Sequence, residues 1–261
     1  MTFALWLLLV IPLSAQVEPS PKETVPKSGT QQPIPRDGIP KDLLQLIESG
    51  KVTVAYDSDP EFEKARRGWA EFHLLLEQSF RFRTTKSQKN GLTLVKAVVT
   101  KLTPKIELTH LVRLPASFQA PDVWQSSVLR HEFDHVAIGL DPRAKLLLRH
   151  LLEHLPVVEL TLEPDEEPSN EQINRFINQE IERRHQAVIE LMRRNNELLD
   201  KVSKHGTRPV PDRAAFFAKL YQKEHLAEQK FPYMNQVLDL LKTAKYEKAA
   251  LPFLPRDPTD E

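Results

Sequence analysis

Cysteine is absent from this 261-residue chain. Its absence excludes disulfide frameworks, thiolate metal sites and cysteine nucleophiles together, so any metal would have to be held by histidine and carboxylate. An excess of charge of either sign is also lacking. Lys+Arg and Asp+Glu both number 36, which removes the electrostatic case for nucleic acid or an anionic membrane as the main partner. Glycine is scarce, 7 residues against 21 proline, and prolines mark most of the boundaries read below. Beyond the first fifteen residues no apolar run is long enough to cross a bilayer. The mature chain is therefore expected to have no stable membrane insertion.

What is present begins with MTFALWLLLVIPLSA, one apolar run closing on Leu13-Ser14-Ala15. A short apolar segment ending in small residues reads as a bacterial export signal, and residues 1–15 are expected to direct the protein to a secreted or periplasmic location. Residues 16–40 hold Pro19, Pro21, Pro26, Pro33, Pro35 and Pro40 among polar residues, the composition of an extended linker. A folded domain is expected over 41–210, followed by a helical extension and irregular tail over 211–261.

Within the domain, Lys41 to Gly50 reads as a short helix and Lys51 to Tyr56 as a strand. Glu61 to Phe82 has helical spacing through Phe62, Ala65, Trp69, Phe72, Leu76 and Phe80. Leu92 to Lys101 and Ile106 to Leu114 are rich in β-branched residues, and Pro104 and Lys105 between them suggest a hairpin or two neighbouring strands. From Asp122 onward the pattern is helical: through Leu140, Pro142 to Leu155, Glu171 to Ser203, Pro211 to Lys230 and Pro232 to Ala249. The expected class is α+β, a small early sheet packed on a central helix, with a mainly helical remainder.

Chemistry concentrates in DVWQSSVLRHEFDHVAIGL, Asp122 to Leu140. On a helix His131 and His135 lie roughly 40° apart and about 6 Å apart along the axis, so both imidazoles can grip one small cation. Zinc suits a nitrogen-rich site of this kind. Glu132, at the edge of the same face, can reach a water on the metal without being a ligand, which is the general-base role. Trp124, Val128, His131, His135 and Ile138 form one stripe, and Leu129, Phe133, Val136 and Leu140 a second. A helix apolar on two faces is mostly enclosed, and polar groups on an enclosed helix are costly unless paired or metal-bound. Ile106 to Pro115 is expected to form the sheet edge over this helix, where an extended peptide can add as a strand. His110 on that strand reads as half-buried, with the cleft as its alternative.

A zinc hydrolase keeps three protein ligands and an open position, and spacing alone leaves the third open. Asp141, six residues after His135, precedes Pro142 and reads as a helix N-cap. His150 and His154 repeat the four-residue spacing without the adjacent glutamate and read as structural. Glu180, Glu182 and His185 sit in a charge run typical of a solvated face. His205, before Gly206, could be aimed back at the metal by a sharp turn.

The run LPASFQAPDVWQSSVLRHEFDHVAI, with a long charged helix ending in DKVSKHG, resembles a family of predicted secreted bacterial zinc-dependent proteases, zincin-like and HExxH-bearing. The matching residues are Leu114-Pro115, Trp124, His131, Glu132, His135, and Asp200 with Ser203, His205 and Gly206. Ser203 stands where the family has Thr, Leu199 where it has an aromatic residue, and the Gln-Gly that often follows His-Gly is missing. The resemblance spans about residues 51–208. It implies His205 as third zinc ligand and a peptidase acting on protein or peptide. The alternative is a catalytically silent secreted binding or scaffold protein on the same fold.

Overall fold

The computed structural model describes residues 31–249, except 66–67, 119–121, 164–165 and 167. The expected export signal at 1–15, most of the expected linker and the tail from 250 lie outside the described residues.

The linker's last stretch belongs to the fold. Gln31–Pro33 forms strand β1, Ile34 is buried, and Pro35 O accepts a hydrogen bond from Trp124 Nε1 at 3.1 Å. Helix α1, Lys41–Gly50, ends where Lys51 turns left-handed and its N–H donates to Ile47 O. Strand β2 follows over Val52–Asp57.

The expected helix over Glu61 to Phe82 is corrected. Helix α2 covers only Pro60–Ala65, and from Trp69 the chain runs as strand β3 to Lys89. Phe72, Leu76 and Phe80 fit a four-residue period and a two-residue period equally well. The neighbouring strand decides, turning Phe72, Leu74, Leu76, Phe80 and Phe82 towards the core. The expected pair of strands is likewise one strand, β4, Leu92–Pro115. Pro104 sits within it, where β4 has β3 on one side and neither β2 nor β5 on the other, and there a missing N–H is tolerated. The hairpin joins β3 to β4 through Asn90 (φ 55°) and Gly91 (φ 78°), the left-handed pair of a tight two-residue turn.

The sheet order is β1-β2-β4-β3, with β2 and β4 parallel and the other pairs antiparallel. Strand β5, Val158–Leu162, pairs with the start of β4 and interrupts the expected all-helical stretch. The expected edge over 106–115 is therefore corrected in its second half, while residues 106–109 have β3 alone beside them. Residues 110–115 lie between β2 and β3, and the outer strands of this order are β1 and β3.

Helix α3, Ser127–Leu140, follows a 3-10 turn at Val123–Gln125. Ser126 caps it, accepting from Leu129 N at 3.2 Å. The helix lies between two apolar clusters. Leu129, Phe133 and Val136 belong to one, with α1 and β2; Ala137 and Ile138 belong to the other, with the later helices. Those are α4 (Pro142–Glu153), α5 (Asn170–Ser203), α6 (Arg213–Lys219), α7 (Lys223–Glu228), α8 (Met234–Leu241) and α9 (Ala244–Glu247). The extension after residue 210 packs into this second cluster through Phe217, Leu220, Tyr221, Leu226 and Val237, all fully or almost fully buried. Mixed α+β architecture is thus what the structure has, with α3 enclosed at its centre.

Candidate metal centre

Helix α3 meets the C-terminal third of α5. Each contributes residues one turn apart: His131 and His135 from α3, Asn196 and Asp200 from α5. His131 Nε2 lies 3.1 Å from Asp200 Oδ1, His135 Nε2 lies 3.3 Å from the same oxygen, and the two Nε2 atoms are 3.2 Å apart. Three potential ligand atoms therefore form a nearly equilateral triangle. They are the group of histidine and acidic side chains among the described residues that can hold a metal ion.

The electrostatics of the triangle favour positive charge within it. Burial pushes the Asp200 carboxyl upward, but hydrogen bonds from His131 and His135 outweigh it and hold the group well below the usual carboxylate range. Burial pushes His135 downward, yet the Asp200 hydrogen bond and the charges of Glu132 and Asp200 bring it above its ordinary value. A proton or a cation between these atoms is stabilised by the same arrangement.

Two glycines let the backbone close on the site. Gly206 has φ 74°, and a Cβ there would lie 2.7–2.9 Å from atoms of the His131 side chain. Gly68, just before β3, would place a Cβ 2.5 Å from Glu132 Oε1. Glu132 is 4% exposed and so reaches the start of the β3 edge from inside the fold. Asp134, between the two histidines in sequence, pairs with Arg213 of α6 and fastens the C-terminal extension to α3.

The other sequence candidates divide clearly. His205 is outside the triangle. Lys204, His205 and Gly206 are all left-handed, and His205 Nδ1 comes to 3.4 Å from Asp200 Oδ1 with 59% of its side chain exposed. Asp200, which opens the same DKVSKHG run, is the residue that stands with His131 and His135 in the triangle. No family model matches the chain, and neither a curated protein nor a solved structure matches it. Asp141 caps α4, accepting from Arg143 N at 2.9 Å and holding the Arg143 guanidinium at 2.6–3.2 Å. Arg143 in turn donates to Ala218 O and Phe217 O. His110 is 4% exposed, with Nδ1 3.1 Å from Gly50 O and Nε2 against Gly139. His150 and His154 contact backbone carbonyls, Gln236 O and His150 O, at 2.9 and 2.8 Å. Glu180 pairs with Arg183 and Arg184, and His185 Nε2 lies 2.9 Å from Leu74 O.

The approach of Asn196 and Asp200 to the two histidines was not read from the sequence. It depends on how α5 lies against α3, although their spacing on one face of the long helix was a usable signal.

Proposed function

We propose that this protein is an exported zinc-dependent peptidase in which His131, His135 and Asp200 hold the ion and Glu132 is the general base. The observation that carries the reading is the triangle of ligand atoms. Tetrahedral zinc with bonds of about 2.0–2.2 Å sets its ligand atoms roughly 3.3–3.6 Å apart, and the three separations here, 3.1, 3.2 and 3.3 Å, lie at or just below the lower end of that range. Two imidazoles and one carboxylate are also a donor set zinc accepts, leaving a fourth position for substrate or water. When bound, such an ion polarises a carbonyl and lowers the pKa of water towards about 7.

The chain's own residues supply the remainder. Glu132, packed against Gly68, takes a proton from the attacking water and passes it to the leaving amine. The β3 edge starts at Trp69, next to this carboxylate, and has no strand partner on its outer side among the described residues. An extended peptide can add there through main-chain hydrogen bonds, which supports protein or peptide as the substrate. Export follows from the apolar run at residues 1–15.

His205, implied as the third ligand by the family resemblance, is assigned instead to the neighbourhood of Asp200. Zinc affinity of Asp200→Ala against His205→Ala tests this assignment, with the larger loss expected for Asp200→Ala. For the catalytic role, Glu132→Gln should lower hydrolysis of an unfolded protein substrate by roughly 10² or more while zinc stays bound. Equal activity in the two proteins would remove the peptidase mechanism and leave a metal-holding scaffold. A purified chain that neither carries nor takes up zinc would remove both.

A further inference from the structure

Asn196 occupies the turn of α5 before Asp200, facing His135. Its amide orientation is fixed by α5 itself. One end donates to Met192 O at 3.0 Å, and because a backbone carbonyl only accepts, that end must be the NH₂ group. The other end, Oδ1, is then an acceptor, and it lies 2.9 Å from His135 Nδ1. Nδ1 must therefore carry the N–H. In a neutral imidazole the second nitrogen is then the one with the lone pair, and that nitrogen, Nε2, is the atom 3.2 Å from His131 Nε2 and 3.3 Å from Asp200 Oδ1.

We infer that Asn196 is a positioning residue which fixes the tautomer and ring rotation of His135, so that its Nε2 lone pair faces a divalent cation. The inference rests on the metal reading above. The relay runs from the carbonyl of Met192 through the Asn196 amide to the imidazole, and each member's role follows from its neighbour's. Without it, His135 can rotate about χ2 or place its proton on Nε2, and both compete with metal binding. Partners that orient a ligating histidine this way typically account for about 10- to 100-fold in metal affinity.

The test compares zinc affinity by chelator competition in the full chain. Asn196→Leu keeps the approximate shape but offers no acceptor, and is expected to bind zinc about 10- to 100-fold more weakly. Asn196→Asp keeps an acceptor oxygen and is expected to bind at least as tightly as the parent. An unchanged affinity in the Leu variant, or a loss in both variants, overturns the inference. A second readout needs no variant at position 196. The zinc-loaded parent should show a slowly exchanging imidazole N–H assigned to His135 Nδ1, identified by its loss in His135→Gln. A His135 proton found on Nε2 overturns the inference, whereas a parent protein that binds no zinc overturns the metal reading instead.

Discussion

Two helices of this protein carry the same four-residue histidine spacing, and the fold treats them differently. On α3 the His131 and His135 side chains are 8% and 12% exposed, and both reach Asp200. On α4 the rings of His150 and His154 are even closer, with centroids 4.2 Å apart against 4.7 Å. Yet His150 Nε2 and His154 Nδ1 are spent on backbone carbonyls, and no acidic side chain among the described residues joins them in a metal-holding group. Proximity of two imidazoles is thus insufficient. What distinguishes α3 is a third helix face bringing a carboxylate, and an enclosure that keeps water from satisfying the rings.

The comparison can be broken at its strongest point first. His131→Ala should reduce zinc affinity by more than the roughly 100-fold that loss of an orienting partner costs, while His150→Ala leaves it unchanged. Equal losses would mean that the α3 pair has no special standing. A large effect is also expected at the wall of the buried pair. Gly206→Ala combines φ 74° with a collision against the His131 side chain, so both the melting temperature and zinc affinity should fall. Gly91→Ala, at φ 78° with nothing within 4 Å, supplies the control. It should lose only the backbone term, about 1–2 kcal/mol, and leave zinc affinity intact.

A third buried histidine sharpens the same contrast through pH. Burial pushes His110 down to about 4, with the hydrogen bond to Gly50 opposing it and the positive charges of Lys145 and His73 adding to it. The unfolded chain takes up this proton near pH 6.5, before the folded chain does. The stability due to neutral His110 is therefore complete above pH 6.5 and is lost as pH falls towards 4, in total roughly 3 kcal/mol. Denaturant midpoints of the parent across that range should fall more steeply than those of His110→Asn; parallel curves would show that His110 is not responsible. The smallest effect is expected at the exposed end of α4, where His154→Ala should change stability by less than about 0.5 kcal/mol.

Much of this contrast was legible in the amino-acid order. The two apolar stripes announce an enclosed helix, and His131, Glu132 and His135 announce what it carries. Asp141 was readable as a cap from the proline after it. The long strand β3 was not legible, because Phe72, Leu76 and Phe80 satisfy both helical and strand periods until β4 lies alongside. The same holds for β4. Pro104 argued for a break, and only the absence of a strand on its second side there lets the strand continue.

By itself the sequence determined that metal chemistry here would use histidine and carboxylate, and that two imidazoles and a glutamate would share one helix. These follow from composition and from local spacing at 3.6 residues per turn. The tertiary structure decided that Asp200 closes the triangle and that Asn196 aims one of its corners. It also decided that β3 is an outer strand of the sheet, while β4 is left uncovered only between its stretches paired with β5 and β2. Asp200 and Asn196 lie 69 and 61 positions along the chain from His131 and His135, and only the packing of α5 against α3 brings them within bonding distance.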